Sequence, residues 1–138
     1  MRPLAVFILI VALAVIVPAF TAVSAQDKPE AAPVPKYDPS TEVTLKGTVD
    51  EVKDRQCPLS HGMGNHIFLK LADGKTIEVH VASTKFMKTY EMAFSKGDQV
   101  EVTGSKVTFE GAETIFAREI KRGDDIMQFR DKNGKPVW

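Results

Sequence analysis

Two alternating runs, His66–Leu71 and Lys75–Val81, flank Ala72-Asp73-Gly74, and this arrangement leaves them one good pairing. When the three central residues close as a type I turn with Gly74 in the left-handed position, Leu71 faces Lys75, Leu69 faces Ile77 and Ile67 faces Val79. The apolar side chains then meet on one side. A two-residue Asp73-Gly74 loop sets Ile67 against His80 and Leu69 against Glu78. That slip mixes apolar and polar groups on both faces, so burial selects the first register. The same register places His66 opposite His80, on what reads as the outer face with Phe68, Lys70, Thr76 and Glu78.

The flanking segments extend the strand pattern. Val43, Leu45, Gly47 and Val49 share one face while Thr44, Lys46 and Thr48 share the other, and Val52 falls out of phase. A strand with a bulge near Asp50-Glu51 accounts for both observations. Ser83–Glu91 changes to helical spacing, with Phe86 and Tyr90 four apart behind Ser83 or Thr84 as the N-cap. Gln99–Phe109 is a further strand whose parity changes at Gly104. Glu110-Gly111 turns into Thr114–Lys121, and Arg122-Gly123-Asp124 turns into Ile126–Arg130. The order predicts an all-β fold, a small OB-like antiparallel barrel of five or six short strands with one short helix between strands 3 and 4. Another small antiparallel barrel or a meander is the alternative, because the last hairpin exceeds the five strands an OB barrel needs.

Residues 1–25 have the make-up of a cleavable signal peptide. Arg2 precedes Leu4–Val17, which has no charged or polar side chain, and Val23-Ser24-Ala25 supplies small residues for cleavage before Gln26. An uncleaved anchor is the alternative, although Pro18 interrupts the apolar run short of the ~20 residues a span needs. Residues 26–40, with Pro29, Pro33, Pro35 and Pro39, read as a Pro/Ala-rich linker, and Thr41–Trp138 as the folded domain. The expected address is periplasmic or secreted, with no stable membrane span after cleavage.

Balanced charge, 18 Lys+Arg against 18 Asp+Glu without a basic run, argues against a protein that lives on phosphate contacts. The single cysteine excludes an internal disulfide and a polythiolate zinc site. No phosphate-cradling glycine loop or nucleophile elbow is present, and no apparent third residue orients a Cys–His pair, so no enzymatic activity is expected. Soft donors do gather in one place. The segment Arg55–His66, read as a loop between the first two strands, contains Cys57, His61, Met63 and His66, and the hairpin brings in His80. Cross-strand partners have Cβ atoms ~4.5–5.5 Å apart, close enough for two imidazoles to share a metal. His66 and His80 are the expected fixed ligands and Cys57 the soft anionic one, with His61 and Met63 as alternates beneath a flexible Gly62/Gly64 loop. Imidazole with thiolate or thioether favours copper or zinc over magnesium or calcium. The expectation is a binding module for such a metal. Its alternative is a metal-free interaction or structural module that meets an envelope protein partner through the same face or a strand edge.

Four segments carry a likeness to a known family: Lys46–Val52, Thr76–Val81, Lys96–Gly104 and Ala117–Ile120. With the terminal stretch Phe129–Trp138 they resemble exported bacterial OB-fold domains of the kind shared by the magnetosome-associated proteins MamS and MamX. The resemblance implies an exported barrel, with metal or redox biology suggested by the magnetosome branch. This chain has no Cys-x-x-Cys-His motif, so the resemblance does not carry haem binding over. A looser likeness to small periplasmic copper-chaperone barrels supports architecture and compartment. Their Trp-x-x-Met-x-Met arrangement is absent, since the only tryptophan is Trp138.

Overall fold

Alternating strands that bend at glycines close on themselves here. The computed structural model describes residues 33–138; the expected signal peptide and the first part of the linker lie outside the described residues. Six strands form one sheet: β1 (Glu42–Cys57), β2 (Gly62–Leu71), β3 (Thr76–Ser83), β4 (Gln99–Phe109), β5 (Ala112–Arg122) and β6 (Asp125–Gln128). The short helix α1 (Thr84–Thr89) falls between β3 and β4 as the sequence predicts, with Ser83 Oγ accepting from Phe86 N–H at 3.2 Å.

β1 pairs with both β2 and β4, β2 with β3, and β4 with β5. A parallel contact between β3 and β5, centred on Val79 opposite Ile115, completes a ring of five strands. β6 pairs outside that ring on β5. The expected hairpin register is present: Ile67 faces Val79, Leu69 faces Ile77 and His66 faces His80. Leu71 N–H donates to the Lys75 carbonyl at 2.8 Å, and Gly74 takes φ 85°.

Both expected bends occur. The β1–β2 register shifts between Val49 and Glu51, and the β4–β5 register between Thr103 and Gly104. At Gly104 the strands approach so closely that a Cβ would overlap the Phe116 carbonyl. The strands are not uniformly short, however. β1 has 16 residues and β4 and β5 have 11 each, because the bulges let one strand bend around the ring instead of stopping.

The alternating apolar face fills the ring. Val49, Ile67, Leu69, Val79, Val102, Ile115 and Ile120 are fully buried, and Met87 of α1 with Phe94 and Phe129 closes the core. Each such aliphatic side chain contributes on the order of 1.5–3 kcal/mol. Part of the expected linker is fastened to this body. Tyr37 O–H donates to Glu42 Oε2 at 2.5 Å, and Asp38 N–H to Ser105 Oγ at 3.0 Å. Among the described residues, no helix is long and apolar enough to cross a membrane.

Candidate metal centre

Arg55–His66 is not the flexible loop that its glycines suggest. β1 and β2 stay paired as far as Cys57 opposite Gly62, leaving only a tight Pro58–Ser60 turn and His61 at φ 50°. Cys57 is therefore a strand residue. Pairing sets Cys57 opposite Gly62, Arg55 opposite Gly64 and Lys53 opposite His66, so all six share one face of β1–β2. Gly64 provides room on this face, since a Cβ there would lie 3.0 Å from Cys57 Cβ and 3.2 Å from His66 Nε2.

The face expected to be outer is covered around the histidines. His66 is 1% exposed, His80 3% and Cys57 4%. The reason is the β3–β5 pairing, which sets His80 opposite Phe116. The Phe109 and Phe116 rings lie 5.1 and 5.3 Å from that of His80. A small cavity bordered by Leu59, Ser60, Asn65, His66, His80 and Trp138 adjoins the pair. Arg130 also borders it, with Nη1 donating to the Ala117 carbonyl and the guanidinium 4.8 Å from the Trp138 ring. Burial pushes this guanidinium down to about 10, opposed by Tyr37 and Cys57.

Three of the five candidate donors converge. One donor atom each from Cys57, His66 and His80 lies within 4.8 Å of the others. His80 Nδ1 is 3.4 Å from Cys57 Sγ, and the imidazole centroids are 4.0 Å apart at 66°. His61 and Met63 are not brought in. His61 is exposed at the turn, and Met63, 43% exposed, alternates to the opposite strand face from Gly62 and Gly64.

Glu78 orients the His66 ring. Its Oε1 accepts from His66 Nδ1 at 2.9 Å and lies 3.9 Å from His80 Nε2. A proton on His66 Nδ1 leaves His66 Nε2 as a lone-pair donor, and His80 presents its Nδ1 to Cys57 Sγ. Arg55 holds the carboxylate through Nη2 at 2.6 Å and reaches Glu110 at 3.2 Å. Neither Nε2 atom has a hydrogen-bond partner, although both are buried. The third such side-chain atom among the described residues is Asn65 Oδ1, whose amide Nδ2 donates to Asp54 Oδ1 at 3.0 Å.

Burial drives His80 down to about 3, reinforced by neighbouring His66, Arg55 and Arg130. His66 is also lowered, first by burial and then by Arg55, with Glu78 opposing. Both imidazoles are therefore neutral near pH 7, the form that binds metals, and the His66–Glu78 contact is a hydrogen bond rather than an ion pair. Metal–nitrogen distances of ~2.0–2.1 Å and a metal–sulfur distance of ~2.3 Å place N and S roughly 3.5 Å apart in a tetrahedral site. The Cys57–His80 separation of 3.4 Å meets that requirement.

Residue spacing alone did not expose Glu78, Arg55, Phe109, Phe116 or Arg130 as parts of this centre. Glu78 did carry a signal, because it stands two residues before His80 on the same strand face. A surface groove bordered by Lys46, Lys70, Gln99 and Lys121 shares no residue with the donors.

No curated protein matches this chain. The sequence pattern of the MamS/MamX magnetosome protein family matches residues 41–127, a span that contains Cys57, His66 and His80 and ends before Arg130 and Trp138. Since that match covers more than half of the sequence, the chain belongs to the MamS/MamX magnetosome protein family.

Proposed function

We propose that this protein is an exported OB-type binding module that holds one transition-metal ion, copper or zinc, through Cys57, His66 and His80. The observation that carries this reading is the convergence of three buried donors within 4.8 Å, with Glu78 hydrogen-bonded behind His66. His66 Nε2 is buried without a hydrogen-bond partner, and a metal would use it directly. Export is supported by the apolar run Leu4–Val17 and the small residues before Gln26. Enclosure of the donors favours binding over catalysis, because a substrate has no route to them without opening the strands. An envelope protein is the natural partner for delivery or withdrawal of the ion.

Metal content of Gln26–Trp138, purified from the periplasm without chelator, tests this beside a His66→Ala/His80→Ala variant. The expected result is near-stoichiometric copper or zinc in the wild type and its loss in the variant. No metal in either protein, even after reconstitution, sinks the reading and leaves a metal-free module that meets its partner through a surface or strand edge.

A further inference from the structure

Resting on that metal reading, we infer that the centre is a mononuclear copper site that passes single electrons between Cu(I) and Cu(II). The donor set is two imidazoles and one thiolate. No fourth His, Cys, Asp or Glu joins the group among the described residues. A structural zinc ion takes four protein ligands, and a catalytic one keeps a position open to water. Neither pattern matches three donors that are each at least 96% buried, with His80 packed against Phe109 and Phe116. A trigonal His, His, Cys set shielded from solvent is the arrangement that tunes copper for electron transfer.

Rigidity points the same way. The three donors stand on β1, β2 and β3, which are hydrogen-bonded to one another on either side of β2. Donor positions are thus fixed before the ion arrives, so they can stay in place when its charge changes. Glu78 and Arg55 compensate each other beside the rings at 2.6 Å, and Arg130 adds a buried positive charge near Cys57. The step is simple to balance. Cu(I) gives one electron to an oxidised one-electron carrier protein and becomes Cu(II), and a reduced carrier returns it. No proton moves and no covalent bond forms or breaks.

The test adds one equivalent of Cu(II) under argon to metal-free Gln26–Trp138. The expected product shows an intense visible thiolate-to-copper absorption and a one-copper electron paramagnetic resonance signal. Both should vanish with ascorbate and return with ferricyanide over repeated cycles, without copper loss. Cys57→Ser should lose the colour, and His61→Ala should keep it; thermal melting of each variant establishes that it folds. Colourless copper that binds only as Cu(I) and resists ferricyanide overturns electron transfer while leaving the metal reading intact. Cu(II) that is consumed in linking chains through Cys57 likewise overturns it. Stoichiometric zinc binding that copper cannot displace overturns the choice of metal alone, and failure to bind either ion overturns both readings.

Discussion

Glu78 Oε1 lies 2.9 Å from His66 Nδ1 while accepting from Arg55 Nη2 at 2.6 Å, so one carboxylate links the buried imidazole to a guanidinium that is one-third exposed. Its hydrogen bond fixes which His66 nitrogen carries a proton and directs the other toward Cys57. Glu78→Gln retains the shape but weakens this hold. Losing such an outer partner reduces metal affinity by about 10–100-fold. Titration against a competing chelator measures that loss, and unchanged affinity would remove Glu78 from the centre.

The metal-free protein should be acid-sensitive in a defined window. His80 is neutral in the fold down to about pH 3, whereas an unfolded histidine takes up its proton near 6.5. Between those values the unfolded chain binds more protons, so stability falls as pH falls and is restored as pH rises toward 6.5. The slope approaches 1.4 kcal/mol per pH unit at most, by linkage, for this one group. The depressed His66 adds loss in the same direction. Cys57, Glu78, Arg55 and Arg130 face the pair and remain in a His80→Leu variant. Urea midpoints between pH 7 and 4 should therefore fall less steeply for His80→Leu than for wild type. Parallel curves would rule out His80 as the source.

The hairpin that places His66 beside His80 was legible because its register depends on residues close in sequence. Ala72-Asp73-Gly74 and the Ile67, Leu69, Ile77 and Val79 face leave one low-energy pairing. Bends at Glu51 and Gly104 were legible for the same reason: a parity break is a local signal. Burial of the histidines was not, because it depends on His80 meeting Phe116 across the parallel β3–β5 contact and on Arg130 and Trp138 arriving from the far end of the chain. Sequence alternation shows which side chains share a face. It does not show what later covers that face. Gly62 and Gly64 misled in a different way, since glycine permits both a mobile loop and a paired strand, and here both pair with β1, with a close approach at Gly64.

Gly64 and Gly74 should separate the centre from the fold. A methyl group at Gly64 would lie 2.7 Å from Ser60 Oγ, 3.0 Å from Cys57 Cβ and 3.2 Å from His66 Nε2. Gly64→Ala therefore crowds the donors and should lower metal occupancy, with an overpacking cost of about 1–3 kcal/mol. At Gly74 nothing lies within 4 Å, but φ is 85°. Gly74→Ala should destabilise by roughly 1–2 kcal/mol through backbone strain while leaving occupancy unchanged. Denaturant melts with metal analysis of both variants check this contrast, and equal occupancy in the two would show that Gly64 is not part of the centre.

Tyr37 should make residues before Thr41 part of the stable domain rather than a free tether. Its hydroxyl bonds Glu42, whose carboxylate also accepts from Arg118 Nε at 2.9 Å and Nη2 at 2.8 Å. Its ring lies against Gly134, where a Cβ would collide with it, and 5.7 Å from the Arg130 guanidinium. Removing the hydroxyl in Tyr37→Phe deletes a bond to a charged acceptor, about 1.5–3 kcal/mol when buried and less at this partly buried position. Tyr37→Ala also uncovers the C-terminal stretch and should destabilise more. A chain shortened to begin at Thr41 should behave like Tyr37→Ala, whereas Val34→Ala, at a side chain 38% exposed, should melt like wild type. If the shortened chain keeps wild-type stability, Tyr37 fastens nothing. If it is weakened and loses metal as well, the cover over Arg130 and Trp138 helps to keep the buried donors closed.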